Sequence, residues 1–415
     1  MDSFFLSTSA VCVTGLSTVN VAESFSGFGQ VVILALIQLG GLGIVTASLA
    51  LVMLSGDRLS LAHESAVAAT IGRLQRAQPA ELFRYSCLVV ALCEAAGATS
   101  LYTRLQSLNP DADALQLVWQ AVFHSISGFC NAGISIFPEG LVRWRGDAVL
   151  LGIMDLLVIT GGIGLLSLIN LRYYYFWRRD TRRRGRMALQ TKIAANVSLI
   201  LIVAGTLVTL LFEWHHTLAG QSIANKFSWA AFHSVMTRTA GFNTVDLAMM
   251  QPATLLFSMV LMFIGGSPGS MAGGIKTVTL AVLFGTARAA LLRQETVQIH
   301  NRRISPRASG IALMLLMLAG ATVMLGTGCL MITELQNPAA NMSDGWLGLM
   351  FEAVSAFGTV GLSTGVTALL TSGGKVVIML LMFLGRVGPL VLAVYLARPV
   401  HPWHIRYPEE DVSLG

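Results

Sequence analysis

The chain has 415 residues, of which 54% are hydrophobic and 12% charged, and its formal net charge is +6. A chain so poor in charge, with a mean hydropathy of +0.69, cannot cover the surface of soluble domains, which excludes an ordinary cytosolic enzyme and a disordered polymer. The same composition excludes a disulfide scaffold, and the five cysteines, without a CxxC pair, offer no zinc or redox motif.

In chain order, residues 1–13 are apolar after Asp2 but lack the basic start of a signal peptide. Crossing a bilayer takes about 20 apolar residues. Runs of that length lie at 29–55, 82–103, 147–176, 189–213, 253–287, 308–333 and 373–397. Lys and Arg concentrate in four stretches. The first, 57–84, holds Arg58, Arg73, Arg76 and Arg84; 172–192 includes Arg182, Arg183, Arg184 and Lys192. The stretch 288–307 holds Arg288, Arg293, Arg302, Arg303 and Arg307, and the tail holds Arg398 and Arg406. The positive-inside rule places all four in the cytoplasm, where they suit anionic lipid or a cytosolic partner.

Between the spans lie shorter, half-polar segments that align on one glycine. They are Ser9 to Ser17 around Gly15, Ser127 to Ser135 around Gly133, Met236 to Asn243 around Gly241, and Ser355 to Ser363 around Gly361. The glycines are 118, 108 and 120 residues apart. Each follows a short amphipathic stretch and precedes a span with a glycine cluster: Gly40-Gly41-Leu42-Gly43, Gly161-Gly162-Ile163-Gly164, Gly265-Gly266-Ser267-Pro268, and Gly385-Arg386-Val387-Gly388-Pro389. The pattern predicts an all-α membrane protein built from a fourfold repeat of outer helix, re-entrant pore loop and inner helix.

Non-helical backbone at membrane depth must be buried in protein or line water. Four pore helices aiming their partly negative C-terminal ends at one point favour a cation there. Extended residues after each helix can turn carbonyls inward to replace its hydration shell. The segments hold no ring of carboxylates and no ring of Arg or Lys, which argues against a divalent-cation or anion pore.

With these residues in place, the chain resembles the Ktr/Trk/HKT superfamily of potassium transporters, and most of all the KtrB-type ion-translocating subunit. Phe123 to Gly133 and Thr237 to Asn243 are similar to the second and third family filters. The resemblance implies potassium bound by backbone carbonyls of Val13, Thr14, Asn131, Ala132, Thr239, Ala240, Thr359 and Val360, beside Gly15, Gly133, Gly241 and Gly361. Potassium is substrate, and no cofactor is expected in this chain. In the family, serine at the first filter position goes with sodium transport, so Gly15 favours potassium.

The first segment starts within about ten residues of Met1, which leaves three outer helices where the resemblance implies four. The expected organisation is repeat 1 at 1–56, without its outer helix, repeat 2 at 57–178, repeat 3 at 179–293, repeat 4 at 294–398, and a cytoplasmic tail at 399–415.

The third inner span is interrupted by Gly265, Gly266, Ser267, Pro268, Gly269, Gly273 and Gly274 before Lys276, a run that cannot continue a helix. The resemblance implies that this intramembrane loop, 265–277, gates the pore beneath the filter. Its glycines and Lys276-Thr277 imitate a phosphate-binding loop, but the spacing is one residue too long and no strand precedes it. Arg386 lies mid-span, where a cation is costly and functional. Three roles stay open for it: electrostatic repulsion, hydrogen bonds to the 265–274 loop, or pairing with Asp155.

Glu94 and Asp155 suit either ion coupling or burial between helices. His124 and His233 are expected at pore-helix starts, satisfying local hydrogen bonds. His401 and His404 read as a polar tail.

The expected function is potassium uptake across a bacterial plasma membrane. The resemblance implies a homodimer bound to a cytosolic ring of nucleotide-binding, KtrA-like regulatory subunits, surrounded by membrane lipid, with no nucleic-acid partner. A sodium-conducting or sodium-coupled carrier and a non-conducting scaffold remain as alternatives.

Overall fold

The long apolar runs are helical over most of their described residues, and two of them, 147–176 and 253–287, are interrupted. A computed structural model describes residues 1–54, 79–165, 167–168, 170–171, 187–337 and 345–397. Arg58, Arg73, Arg76, Arg182 to Arg184 and the tail with His401 and His404 lie outside the described residues.

The first unit is α1 (Asp2–Cys12), the single turn α2 (Val21–Ser24) and α3 (Gly27–Leu54). Next come α4 (Pro79–Leu108), α5 (Ala114–Phe129) and α6 (Ala148–Ile163). The third group is α7 (Leu189–Glu213), α8 (Ile223–Met236), α9 (Pro252–Phe263) and α10 (Thr277–Leu291). A short hairpin, β1 (Gln298–Ile299) with β2 (Arg302–Arg303), leads to α11 (Pro306–Thr333), α12 (Trp346–Gly358), the turn α13 (Val366–Leu369) and α14 (Ser372–Ala397).

Local chemistry sets the starts. Asp147 Oδ1 accepts from the amides of Val149 (3.0 Å) and Leu150 (2.9 Å), capping α6. The same carboxylate pairs with Arg104 of α4 at 2.8 Å. Pro252 and Pro306 open α9 and α11, where the missing N–H costs nothing.

Among the described residues, three helices are long and apolar enough to cross a membrane: 84–108, 189–213 and 306–333. Their outward faces are apolar, with Leu199, Ile200, Leu207 and Leu211 on α7 and Met317, Leu318, Met324, Leu325 and Ile332 on α11 all exposed. Contiguous apolar exposure of this kind suits a lipid environment.

The short amphipathic helices sit inside. Helix α5 packs on α4 and α6, α8 on α7, and α12 on α14, α9 and α11. Helix α1 lies between α3 and α14, bringing the two ends of the sequence together. Asp2 at the start of α1 pairs with Lys375 of α14 at 2.8 Å. Hydrogen bonds from Lys375 and Thr18 hold the Asp2 carboxyl below its ordinary value of 3.8.

One expected span is corrected. The run 147–176 is not a single helix, because α6 stops at Ile163 and Gly164 turns to φ 89°. The cause is tertiary: the 264–276 segment inserts beside it and takes its last carbonyls. The clusters at Gly40 to Gly43 and Gly385 to Gly388 stay helical within α3 and α14.

Candidate functional site

The four glycine segments each follow the C-terminal end of a short helix. Helices α1, α5, α8 and α12 end at Cys12, Phe129, Met236 and Gly358, just before Gly15, Gly133, Gly241 and Gly361. Backbone bonds repeat at the exits: Thr14 N donates to Ser9 O, Ala132 N to Ser127 O and Val360 N to Ser355 O, each at 2.8 Å. Ser9 and Ser355 also accept, on their hydroxyls, from Gly15 N (3.0 Å) and Gly361 N (3.1 Å).

The backbone after each helix is not extended, which corrects the sequence reading. Val13, Asn131, Thr239 and Thr359 take φ of 54°, 59°, 73° and 50°. Two residues on, Gly15, Gly133, Gly241 and Gly361 take 95°, 64°, 72° and 93°. Thr14, Ala132, Ala240 and Val360, between them, do not have positive φ. Left-handed conformation is costly for β-branched Val13, Thr239 and Thr359, so their surroundings must impose it.

The four segments touch in chain order, and the contacts close on themselves. A Cβ added to Gly15 would lie 2.6 Å from the Ala132 carbonyl oxygen, and one on Gly133 would lie 2.7 Å from that of Ala240. On Gly241 it would lie 2.3 Å from the Val360 oxygen, and on Gly361 it would lie 2.3 Å from that of Thr14. Thus all twelve residues expected from the sequence are brought into one cluster. Most are fully buried. The Asn131 amide donates to Thr239 Oγ1 at 3.4 Å, linking the second and third segments.

Beneath the segments, span glycines let helices approach closely. A Cβ on Gly40, Gly161 or Gly385 would strike the carbonyl oxygen of Val11, Phe129 or Phe357 at 2.0, 1.9 and 1.8 Å. Each of those carbonyls lies four residues before its segment's glycine. In the third segment this packing is replaced: Gly265 faces the Gly273 oxygen of its own loop at 1.8 Å, measured the same way.

That loop, between α9 and α10, lacks helix from Ile264 to Lys276. It is nevertheless hydrogen-bonded. Gly265 N donates to Ile275 O (2.8 Å), Ser267 N to Gly162 O (3.0 Å), Met271 N to Gly161 O (3.4 Å) and Thr277 N to Gly266 O (3.1 Å). Ser267 Oγ donates to Ile163 O. Leu165 N donates back to Gly269 O at 3.3 Å. Pro268 and Gly269 lie against Gly164. A Cβ on Gly273 would come within 2.2 Å of Thr359 Oγ1, so the loop abuts the fourth segment. Gly274 takes φ 63°.

Three cations gather on this loop. Arg386 of α14 donates to Met271 O and, at 3.0 Å, to Gly40 O of α3. Lys276 turns back on the loop, donating to Ala272 O at 2.6 Å. Arg238, at the exit of α8, donates to Gly265 O at 3.2 Å. Of the roles left open for Arg386, hydrogen bonding to the loop is the one observed; pairing with Asp155 is not. Asp155 Oδ1 is buried with no hydrogen-bond partner among the described residues. Arg238 escaped the sequence reading, although its place inside the third segment was a usable signal.

Glu94 accepts from Gln38 Nε2 at 3.2 Å, and Cys130 Sγ lies 3.5 Å from Gln38 Oε1. The two histidines lie in the later turns of α5 and α8, not at their starts. His233 Nε2 is 2.9 Å from Ser258 Oγ, and His124 Nδ1 is 2.8 Å from Gln120 O.

A family model described as TrkH, cation transport protein, matches residues 1–402. The chain belongs to this family of membrane cation transporters. It is 33% identical over 416 residues to Ktr system potassium uptake protein B of Vibrio alginolyticus, covering 100% of this chain and 88% of that one. Against the protein of the same name from Bacillus subtilis it is 34% identical, covering 100% and 89%. Against the potassium/sodium uptake protein NtpJ of Enterococcus hirae it is 31% identical, covering 100% and 90%. The crystal structure of the potassium transporter TrkH from Vibrio parahaemolyticus shares the fold, with a TM-score of 0.72 at 17% identity, over 95% of this chain and 78% of that one.

The family is one of cation transport proteins, not a family of enzymes.

Proposed function

We propose that the chain is the ion-translocating subunit of a potassium uptake system in a bacterial plasma membrane. Potassium crosses along the axis enclosed by the four segments, coordinated by carbonyls of Val13, Thr14, Asn131, Ala132, Thr239, Ala240, Thr359 and Val360. The observation that carries this is the closed cycle of contacts, in which each segment's glycine meets the next segment's carbonyl. Alternating left-handed residues supply the backbone reversal that lets successive carbonyls share a direction. The C-terminal ends of α1, α5, α8 and α12 add negative potential at the same place. A fourfold repeat with re-entrant pore loops accounts for this arrangement.

The 264–276 loop is the gate. It fills the space between α3, α6 and α14, and Arg386 holds it there through Met271 O and Gly40 O. Moving an ion past it requires those bonds to loosen, so Arg386 limits conduction. Glycines at 265, 266, 269, 273 and 274, with Ser267, Pro268 and Lys276, define its shape.

The relatives named as parts of a Ktr system support a multi-component assembly. We assign this chain a homodimer with a cytosolic nucleotide-binding ring as partner, docked on the basic cytoplasmic segments, including the hairpin at Gln298–Arg303.

The test is rubidium uptake in cells lacking their own potassium uptake systems, with a regulatory partner supplied and sodium uptake run in parallel. Uptake suppressed by potassium supports the reading. Sodium uptake that potassium does not suppress favours a sodium carrier. No flux of either ion, despite normal membrane expression, favours a non-conducting scaffold.

A further inference from the structure

Just outside the glycines, the four segments are tied in two different ways, and the ways alternate around the cycle. Compare the residue nine positions before each glycine with the one two positions after it. In the fourth segment these are Glu352 and Ser363; in the second, His124 and Ser135. In the first and third they are Leu6 with Ser17 and Phe232 with Asn243.

Glu352 is fully buried on α12. Its Oε1 accepts from Ser363 Oγ (2.7 Å), Thr364 N (3.0 Å) and Thr364 Oγ1 (3.4 Å), and its Oε2 accepts from Thr367 Oγ1. The chain beyond Gly361 is therefore pulled back onto its own helix. His124 does the same for the second segment: its Nε2 lies 2.8 Å from Ser135 Oγ, and its ring stacks on Phe137 at 4.0 Å. In the neutral ring Nδ1 faces the Gln120 carbonyl and carries the proton, so Nε2 accepts from Ser135.

Leu6 and Phe232 are buried and cannot form such a bond. There the outer side chain bonds along its own loop, Ser17 Oγ to Val19 O at 2.5 Å and Asn243 Nδ2 to Val245 O at 3.3 Å. In the cycle the second and fourth segments stand opposite each other, as do the first and third.

We propose that Glu352 and His124 are positioning residues that hold two opposite segments apart, through Ser363 and Ser135, and thereby set the preference for potassium over sodium. Neither side chain touches the ion. Each anchors the strand just outside a glycine, so the cycle cannot contract around the smaller cation without breaking buried hydrogen bonds. This inference rests on the reading of the four segments as the ion filter.

The experiment measures, in the same uptake-deficient cells, the sodium concentration that halves rubidium uptake. The variants are Glu352→Ala, Glu352→Gln, Ser363→Ala and Ser135→Ala in the full chain. One buried hydrogen bond corresponds to about fivefold, so each serine variant should become about fivefold more sensitive to sodium, and Glu352→Ala more so. Glu352→Gln should stay near wild type, because an amide oxygen keeps the bonds of Oε1 and its NH2 can donate to Thr367. If Glu352→Ala fails to reach the membrane, the serine variants decide. A uniform fall in uptake with unchanged sodium sensitivity would overturn the inference and leave these residues a packing role. Wild-type cells that take up no rubidium would instead overturn the filter reading itself.

Discussion

Gly361 and Thr14 lie far apart in sequence yet close the cycle of segments: a Cβ on Gly361 would sit 2.3 Å from the Thr14 carbonyl oxygen. The first and last segments are therefore neighbours, and the placement of α1 against α14 is what brings them there.

Substituting the ring glycines should damage transport in a graded order. Gly361 has φ 93° and the 2.3 Å approach; Gly133 has φ 64° and a 2.7 Å approach. The second angle lies nearer the left-handed region open to other residues. Gly361→Ala is thus expected to reduce rubidium uptake more than Gly133→Ala, with both proteins still present in membranes. Initial uptake rates normalised to membrane abundance check the order.

Releasing the loop should speed conduction. Hydrogen bonds to a charged group are worth about 1.5–3 kcal/mol each, and Arg386 makes two. Arg386→Ala is expected to raise the initial rate of rubidium uptake several-fold. Arg386→Lys should fall between, since one ammonium cannot span Met271 O and Gly40 O as a guanidinium fork does. Unchanged or slower flux in Arg386→Ala would count against the gate assignment.

Much of this site was legible in the sequence. The four glycines and the broken span at 265–277 stood out because composition there contradicts both helix and loop rules. What could not be read was the φ of Val13 and Thr359. β-Branched residues prefer negative φ, and only the neighbouring segments override that preference. The interruption of α6 was hidden for a similar reason. Gly161 to Gly164 resembles Gly40 to Gly43, and the difference lies in Ser267 and Met271, which bond to its carbonyls from about a hundred residues away. The histidines do not stand at helix starts as expected, because Asp113 and Ser222 cap α5 and α8 about eleven residues upstream of them.

The Asp2–Lys375 pair ties the start of α1 to α14 and is partly exposed, so its contribution to stability is small. The carboxyl titrates below 3.8 when folded. A group with a depressed value stabilises the fold above its unfolded value and ceases to do so as pH falls through the folded one. Lys375→Met should therefore lower the melting temperature of the purified protein slightly at neutral pH. The difference from wild type should shrink as pH drops below 3.8.

The central claim is that the four segments bind the transported cation through their carbonyls. Anomalous diffraction from crystals grown in rubidium tests it most directly. A rubidium peak is expected on the axis between the carbonyl oxygens of Thr14, Ala132, Ala240 and Val360. Well-diffracting crystals with no peak there, or with rubidium bound only elsewhere, would contradict it.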